Sequence, residues 1–71
     1  KRKNINQTIG QNILRLRKER GLSRKDFAVR VGRTPETVGH WERGEINFCC
    51  RHVILLCKTF GVSSSELFHG L

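Results

Sequence analysis

The segment from Ser23 to Gly44, SRKDFAVRVGRTPETVGHWERG, constrains the fold of this chain more than any other. Ser23, with the acid Asp26 three residues on, has the pattern of a capped helix start, in which a hydroxyl bonds free backbone N–H groups. Phe27, Ala28 and Val31 then fall at i, i+1 and i+4, on one face. Gly32 supplies the positive φ that stops such a helix and reverses the chain. Thr34 is the next N-cap, and Pro35 stands at the first helical position, where a missing N–H costs nothing. Val38, Trp41 and Glu42 recur on the inward side, while Glu36, His40 and Arg43 make the opposite stripe. The spacing predicts two short helices joined by a glycine turn, the second turned outward to be used.

That arrangement is a helix-turn-helix. Ala28 is small where the helices must cross, Gly32 follows at the turn, and Val38 is the wedge between them. With the terminal string Trp41-Glu42-Arg43-Gly44, the segment resembles the helix-turn-helix of the phage repressor and Cro family, also called the XRE family. The resemblance extends from about Ile9 to Gly70. It implies an all-α, five-helix lambda-repressor-like domain, with the helix-turn-helix at helices 2 and 3.

The rest of the chain reads compatibly. Residues 1–6 are expected to be a flexible basic arm on a single domain spanning 1–71. Thr8 with Gln11 resembles a capping box opening a first helix to about Arg20, with Ile9, Ile13 and Leu16 as its apolar stripe. Gly10 inside it costs up to ~1 kcal/mol relative to alanine. After a loop from Glu45 to about Cys50, Val53, Leu56, Cys57 and Phe60 give the stripe of a fourth helix. Ser63 and Glu66 suggest a capping box for a short fifth helix carrying Leu67 and Phe68.

Composition narrows the function. A chain of 71 residues with 14 Lys and Arg against 6 acids, net +8, favours a polyanion, nucleic acid ahead of a membrane surface. No apolar run approaches the ~18 residues of a transmembrane helix, and no signal-peptide pattern is visible. The expected setting is a bacterial or phage-encoded protein of the cytoplasm, associated with the nucleoid. An effector domain or protein partner outside this chain is left open.

The resemblance also assigns residues. Arg17, late in the first helix, and Glu42 occupy the places of a family ion pair; an inward Glu42 needs such a cation in any case. Arg17 is further expected to face a phosphate. Arg24, first in the second helix, stands where the family anchors a DNA phosphate, at the positive end of a helix dipole. Arg43 matches a second phosphate position, and Arg33 and Thr34 are added as further backbone contacts. Base reading falls to Pro35, Glu36, Thr37 and His40. Pro35 offers only apolar contact, Glu36 can accept from cytosine N4 or else points away, and His40 can donate to guanine N7 or O6, or contact phosphate when protonated. Gly39 is expected to permit close approach of DNA.

The loop from Glu45 to Cys50 departs from the family, which carries basic residues and a proline there; Phe48 looks suited to protein contact. Related domains dimerise through the loop between the fourth and fifth helices and the C-terminal end, where Val62, Phe68 and Leu71 supply apolar surface and Phe60 is expected to belong rather to the core. Cys49, Cys50, His52 and Cys57 are the only constellation suggesting other chemistry, but adjacent cysteines point apart and Cys57 sits on a core stripe. No metal, cofactor or catalytic residue is expected. The reading is a sequence-specific DNA-binding regulator, a repressor acting as a homodimer on double-stranded DNA. The alternatives are a protein-interaction module on the same fold and a Cys/His metal or redox sensor; an enzyme ranks last.

Overall fold

The computed structural model describes residues 4–71, and among them the chain forms five helices and no strand. They are α1 (Ile5–Glu19), α2 (Arg24–Val31), α3 (Pro35–Glu42), α4 (Cys50–Phe60) and α5 (Ser64–Leu67). The all-α expectation holds. The start of α1 differs from it. Asn4, not Thr8, is the N-cap: its side-chain oxygen accepts the Gln7 N–H at 2.8 Å, and Gln7 Oε1 accepts the Asn4 N–H at 3.2 Å. Asn4, Ile5 and Asn6 therefore belong to the cap and first turn rather than to an arm; the remainder of that expectation lies outside the described residues. The early start is held from a distance. Asn6 donates to the Asn47 side chain at 3.0 Å and accepts the Phe48 N–H at 3.2 Å.

The two caps of the central segment form as their residues require. Ser23 Oγ accepts the Asp26 N–H at 3.0 Å, and Thr34 Oγ1 accepts the Thr37 N–H at 3.2 Å. Gly32 between them sits at φ 69°, in the left-handed region. α1, α2 and α3 each turn a stripe inward: Ile9, Ile13 and Leu16; Phe27, Ala28 and Val31; Val38 and Trp41. Leu56 and Phe60 of α4 and Leu67 of α5 complete the core. Fully burying each large side chain contributes ~1.5–3 kcal/mol. Phe27 and Phe60 stack with centroids 4.9 Å apart and planes 8° from parallel, so Phe60 is core and not available to a partner.

Gly10 is explained by the crossing of α1 and α3. A side chain there would run into backbone, its Cβ 2.7 Å from the Glu42 carbonyl oxygen and closer still to that of Trp41. One turn earlier on α1, Gln7 meets Gly44 just after α3, where a Cβ would lie 2.6 Å from Gln7 Cα. The helices touch main chain to main chain, and α3 is fixed against α1 at its C-terminal end.

Three smaller expectations are corrected. Of the α4 stripe, Val53 and Cys57 are only half-buried, because α4 lies at the margin of the bundle and one of its edges stays open. The capping box of α5 is absent: Ser63 Oγ pairs with Ser65 Oγ at 2.7 Å, and the Glu66 N–H goes to the Ser63 carbonyl. Phe48 is half-buried against the fold, edge-on to Trp41 at 6.5 Å and to His52 at 5.7 Å. Buried Asn12 closes the other end of the molecule, donating to the Leu67 and His69 carbonyls at 2.7 and 2.9 Å and so docking α5 on α1.

Candidate nucleic-acid interface

Beneath the exposed face of α3 lies an ion pair. Glu42 turns inward, its side chain 3% exposed, and Arg17 Nε donates to Glu42 Oε2 at 2.6 Å. Arg17 Nη2 reaches Oε1 at 3.4 Å, while Nη1 donates to the Leu22 carbonyl at 2.9 Å. All three guanidinium nitrogens thus have internal partners. Arg17 is a strut linking α1, α3 and the start of the α2 region, buried under the surface with its guanidinium nitrogens turned to internal partners rather than outward. Removing one member of such a pair costs ~3–5 kcal/mol, since the other is left charged and alone.

Arg24 sits at the first position of α2, half exposed, with Nη2 3.4 Å from the second oxygen of Glu42. Arg43, which caps the C-terminus of α3, lies on the same side. The two guanidinia meet over Gly39, where a Cβ would be 3.2 Å from Arg43 Nη1 and 3.7 Å from Arg24 Nη1. Gly39 is covered by arginine rather than open, and two cations are brought together at one edge of the α3 face. Like charges hold that close only where solvent screens them and a carboxylate, here Glu42, lies beneath.

Along the outer face, Pro35, Glu36 and His40 are exposed and Thr37 is half-buried. The Thr34 and Thr37 hydroxyls are 3.0 Å apart, so each has a local partner besides the cap. Glu36 has no ion-pair partner among the described residues. Arg33 in the turn is exposed, its Nη1 donating to the Gly32 carbonyl at 3.2 Å. Arg33 and Arg51, at the start of α4, flank a depression of about 320 Å³ also lined by Cys49 and His52. Sequence reasoning passes over Arg51, which no periodicity connects to a turn eighteen positions earlier.

It also passes over the reach of Glu45. Glu45 Oε1 lies 2.7 Å from His40 Nδ1 and 3.2 Å from Arg43 Nε. Hydrogen bonds from His40, and then from Arg43, hold its carboxyl below the usual range. The acid at the start of this loop is bound to two of the candidate contact residues.

The cysteines are free. Cys49 caps α4, its N–H donating to His52 Nδ1 at 3.1 Å and its Sγ 3.2 Å from the same nitrogen. Backbone N–H groups of His52 and Arg51 hold the exposed thiol below its ordinary pKa. Among the described residues, no three His, Cys, Asp or Glu side chains gather as metal ligands would, and no helix is long and apolar enough to cross a membrane.

A helix-turn-helix family profile matches residues 13–67, which include every element of this face. The chain belongs to the XRE-type helix-turn-helix family. Its relatives within that family are regulators rather than enzymes. Over 63 residues this helix-turn-helix domain is 32% identical to the uncharacterized HTH-type transcriptional regulator y4dJ of Sinorhizobium fredii, covering 89% of this chain and 82% of that protein. The restriction-modification controller protein C.AhdI from Aeromonas hydrophila superposes with a TM-score of 0.78 at 31% identity, over 87% of this chain and 94% of that one. The clp gene regulator ClgR from Corynebacterium glutamicum gives 0.85 over 93% of this chain and 86% of that one. At 17% identity that is a likeness of fold alone.

Proposed function

We propose that this helix-turn-helix domain is a sequence-specific DNA-binding transcriptional regulator, a repressor that lays α3 in the major groove of a near-palindromic operator. The observation that carries the reading is the outer face of α3 itself. Its opposite side is fixed to α1 by main-chain contact and a buried ion pair, while Arg24 and Arg43 converge at its edge over Gly39. A rigid, exposed helix bordered by paired cations is what groove insertion with flanking phosphate contacts requires. In this reading Arg24, Arg43, Arg33 and the Thr34 end of α3 hold phosphates, and Pro35, Glu36, Thr37 and His40 meet base edges. Kinship with the regulator y4dJ and the controller C.AhdI supports a role in gene control.

In this reading the domain pairs with a second copy through a different surface. A shallow apolar groove of about 500 Å³ runs between α1 and α4, with Ile5, Phe48, Ile54 and Phe68 among its walls. Ile54 and Leu71 are 56% and 66% exposed. A second copy covering these would make a dimer, and a helix-turn-helix dimer reads half-sites about one helical turn, ~34 Å, apart.

The test is selection from a randomised duplex pool at moderate salt, with the retained fraction sequenced. An enriched palindrome supports a dimeric reader, and an enriched single half-site supports reading without dimerisation. Retention of every sequence alike, or of none, would sink the proposal. With ~6–10 phosphate contacts, affinity for the selected site should fall ~10³–10⁵-fold between 50 and 200 mM salt.

A further inference from the structure

After Gly44 the chain folds back on α3, and the Glu45 N–H donates to the His40 carbonyl at 3.0 Å. The turn brings the Glu45 carboxylate beside the imidazole five residues earlier, with Oε1 at 2.7 Å from Nδ1. A carboxylate oxygen offers only lone pairs, so a ring nitrogen at that distance carries the hydrogen and donates it. Arg43 Nη2, 3.4 Å from the same Nδ1, is itself only a donor and has no lone pair to bond there. Arg43 is instead held through its Nε on the same Glu45 oxygen at 3.2 Å. The uncharged ring of His40 then has its proton on Nδ1 and a bare lone pair on Nε2.

We propose that Glu45 is a specificity-determining positioning residue, which fixes the tautomer of His40 so that Nε2 meets the groove as a hydrogen-bond acceptor. Such an acceptor matches an N–H donor on the base edge, cytosine N4 or adenine N6, and is mismatched against the N7 and O6 acceptors of guanine. This inverts the preference that the sequence suggests for His40. The inference rests on α3 entering the major groove, and its first test does not.

The charged groups facing the ring are Glu45 from the loop and Arg43 from the end of α3, with Arg24 of α2 reaching over the adjacent Gly39. A protonated ring would donate from both nitrogens, so the measurements are made in alkaline buffer, with the same spectra checking that the ring is uncharged. Long-range ¹⁵N–¹H correlation on the whole chain without DNA should show the His40 proton on Nδ1. Glu45→Gln should keep it there, because the amide oxygen still accepts. Glu45→Ala should return it to the Nε2–H form that free imidazole prefers. A wild-type ring already carrying Nε2–H overturns the proposal.

Duplex selection then reads the consequence. The wild type should prefer cytosine or adenine over guanine by roughly tenfold at one position of each half-site. His40→Ala should abolish that preference, Glu45→Ala should turn it toward guanine because Nε2 then donates, and Glu45→Gln should retain it. An unchanged preference in Glu45→Ala, with DNA still bound, overturns the selectivity while leaving the DNA reading intact. Failure of wild type to retain any duplex overturns both, with the tautomer spectra recording whether Glu45 fixes the ring.

Discussion

Gly10→Ala puts the geometry of the α1–α3 crossing to a quantitative test. On helix propensity alone the change stabilises α1 by ~1 kcal/mol. The structure predicts the opposite sign. The new Cβ would lie 2.7 and 2.9 Å from the carbonyl oxygen and carbon of Glu42, against the 3.4 Å at which ordinary contact begins. Both obstacles are main chain, so no rotamer change relieves them; α3 must move away from α1 by most of an ångström. Overpacking of this kind costs ~1–3 kcal/mol, and more where the surroundings cannot yield. The same movement pulls Glu42 from Arg17, so the upper end applies and the net loss should be ~2 kcal/mol. In a domain of this size that lowers Tm by roughly 8–16 °C. Urea unfolding followed by Trp41 fluorescence and by far-ultraviolet circular dichroism measures it. Gly39→Ala is the control, because there the Cβ meets only the mobile ends of Arg43 and Arg24, and stability should hold or rise. A Gly10→Ala protein as stable as wild type, or two variants that behave alike, would refute the backbone-contact reasoning.

Other expectations come from single contacts. Glu42→Ala leaves Arg17 buried without its anion and should cost ~3–5 kcal/mol by chemical denaturation, with far less lost in Arg17→Met combined with Glu42→Leu; equal losses would argue against a buried pair. Arg24→Gln should weaken binding to all selected duplexes alike and reduce the slope of log affinity against log salt by about one; a change confined to one base position would mean Arg24 reads sequence. In a Cys50→Ser background, alkylation of Cys49 should reach half its maximal rate at a pH below that of a model thiol, since α4 backbone N–H groups favour the thiolate. A group whose pKa is lowered on folding stabilises the fold above its unfolded pKa, and the effect is lost as pH falls through the folded one. A midpoint at or above the model thiol's would contradict the capping geometry.

What is legible in the sequence is whatever a few neighbouring residues decide. The caps at Ser23 and Thr34, the turn at Gly32 and the inward row of Val38, Trp41 and Glu42 follow from spacing alone, and they define the helix-turn-helix. The start of α1 is ambiguous because Asn4 with Gln7 and Thr8 with Gln11 are the same signal one turn apart. Contacts from Asn6 to Asn47 and Phe48, more than forty residues away, select the first. Gly10 looks like a defect in a helix and is a requirement of tertiary contact. Glu45 is legible as an acid but not as a partner, because its reach to His40 depends on the reversal at Gly44 rather than on helical period. Ser63 and Glu66 spell a capping box that a competing serine, Ser65, prevents.

The carboxylates of this face divide by what surrounds them. Glu42 lies beneath two arginines and Glu45 between an arginine and a histidine, so neither presents a bare negative charge to an approaching phosphate backbone. Glu36, one residue into the exposed row of α3, has no such cover. If α3 enters a groove, that charge repels every sequence unless a base edge meets it with an N–H donor, and cytosine N4 is the edge that does so. An attractive border of arginines with one uncompensated acid at its centre would discriminate chiefly by penalising wrong sequences, the arginines supplying affinity common to all of them. On this view the basic charge of the chain and the acids on its recognition face are not in conflict. In that reading the first would bring DNA to the surface, and the second would decide which DNA stays.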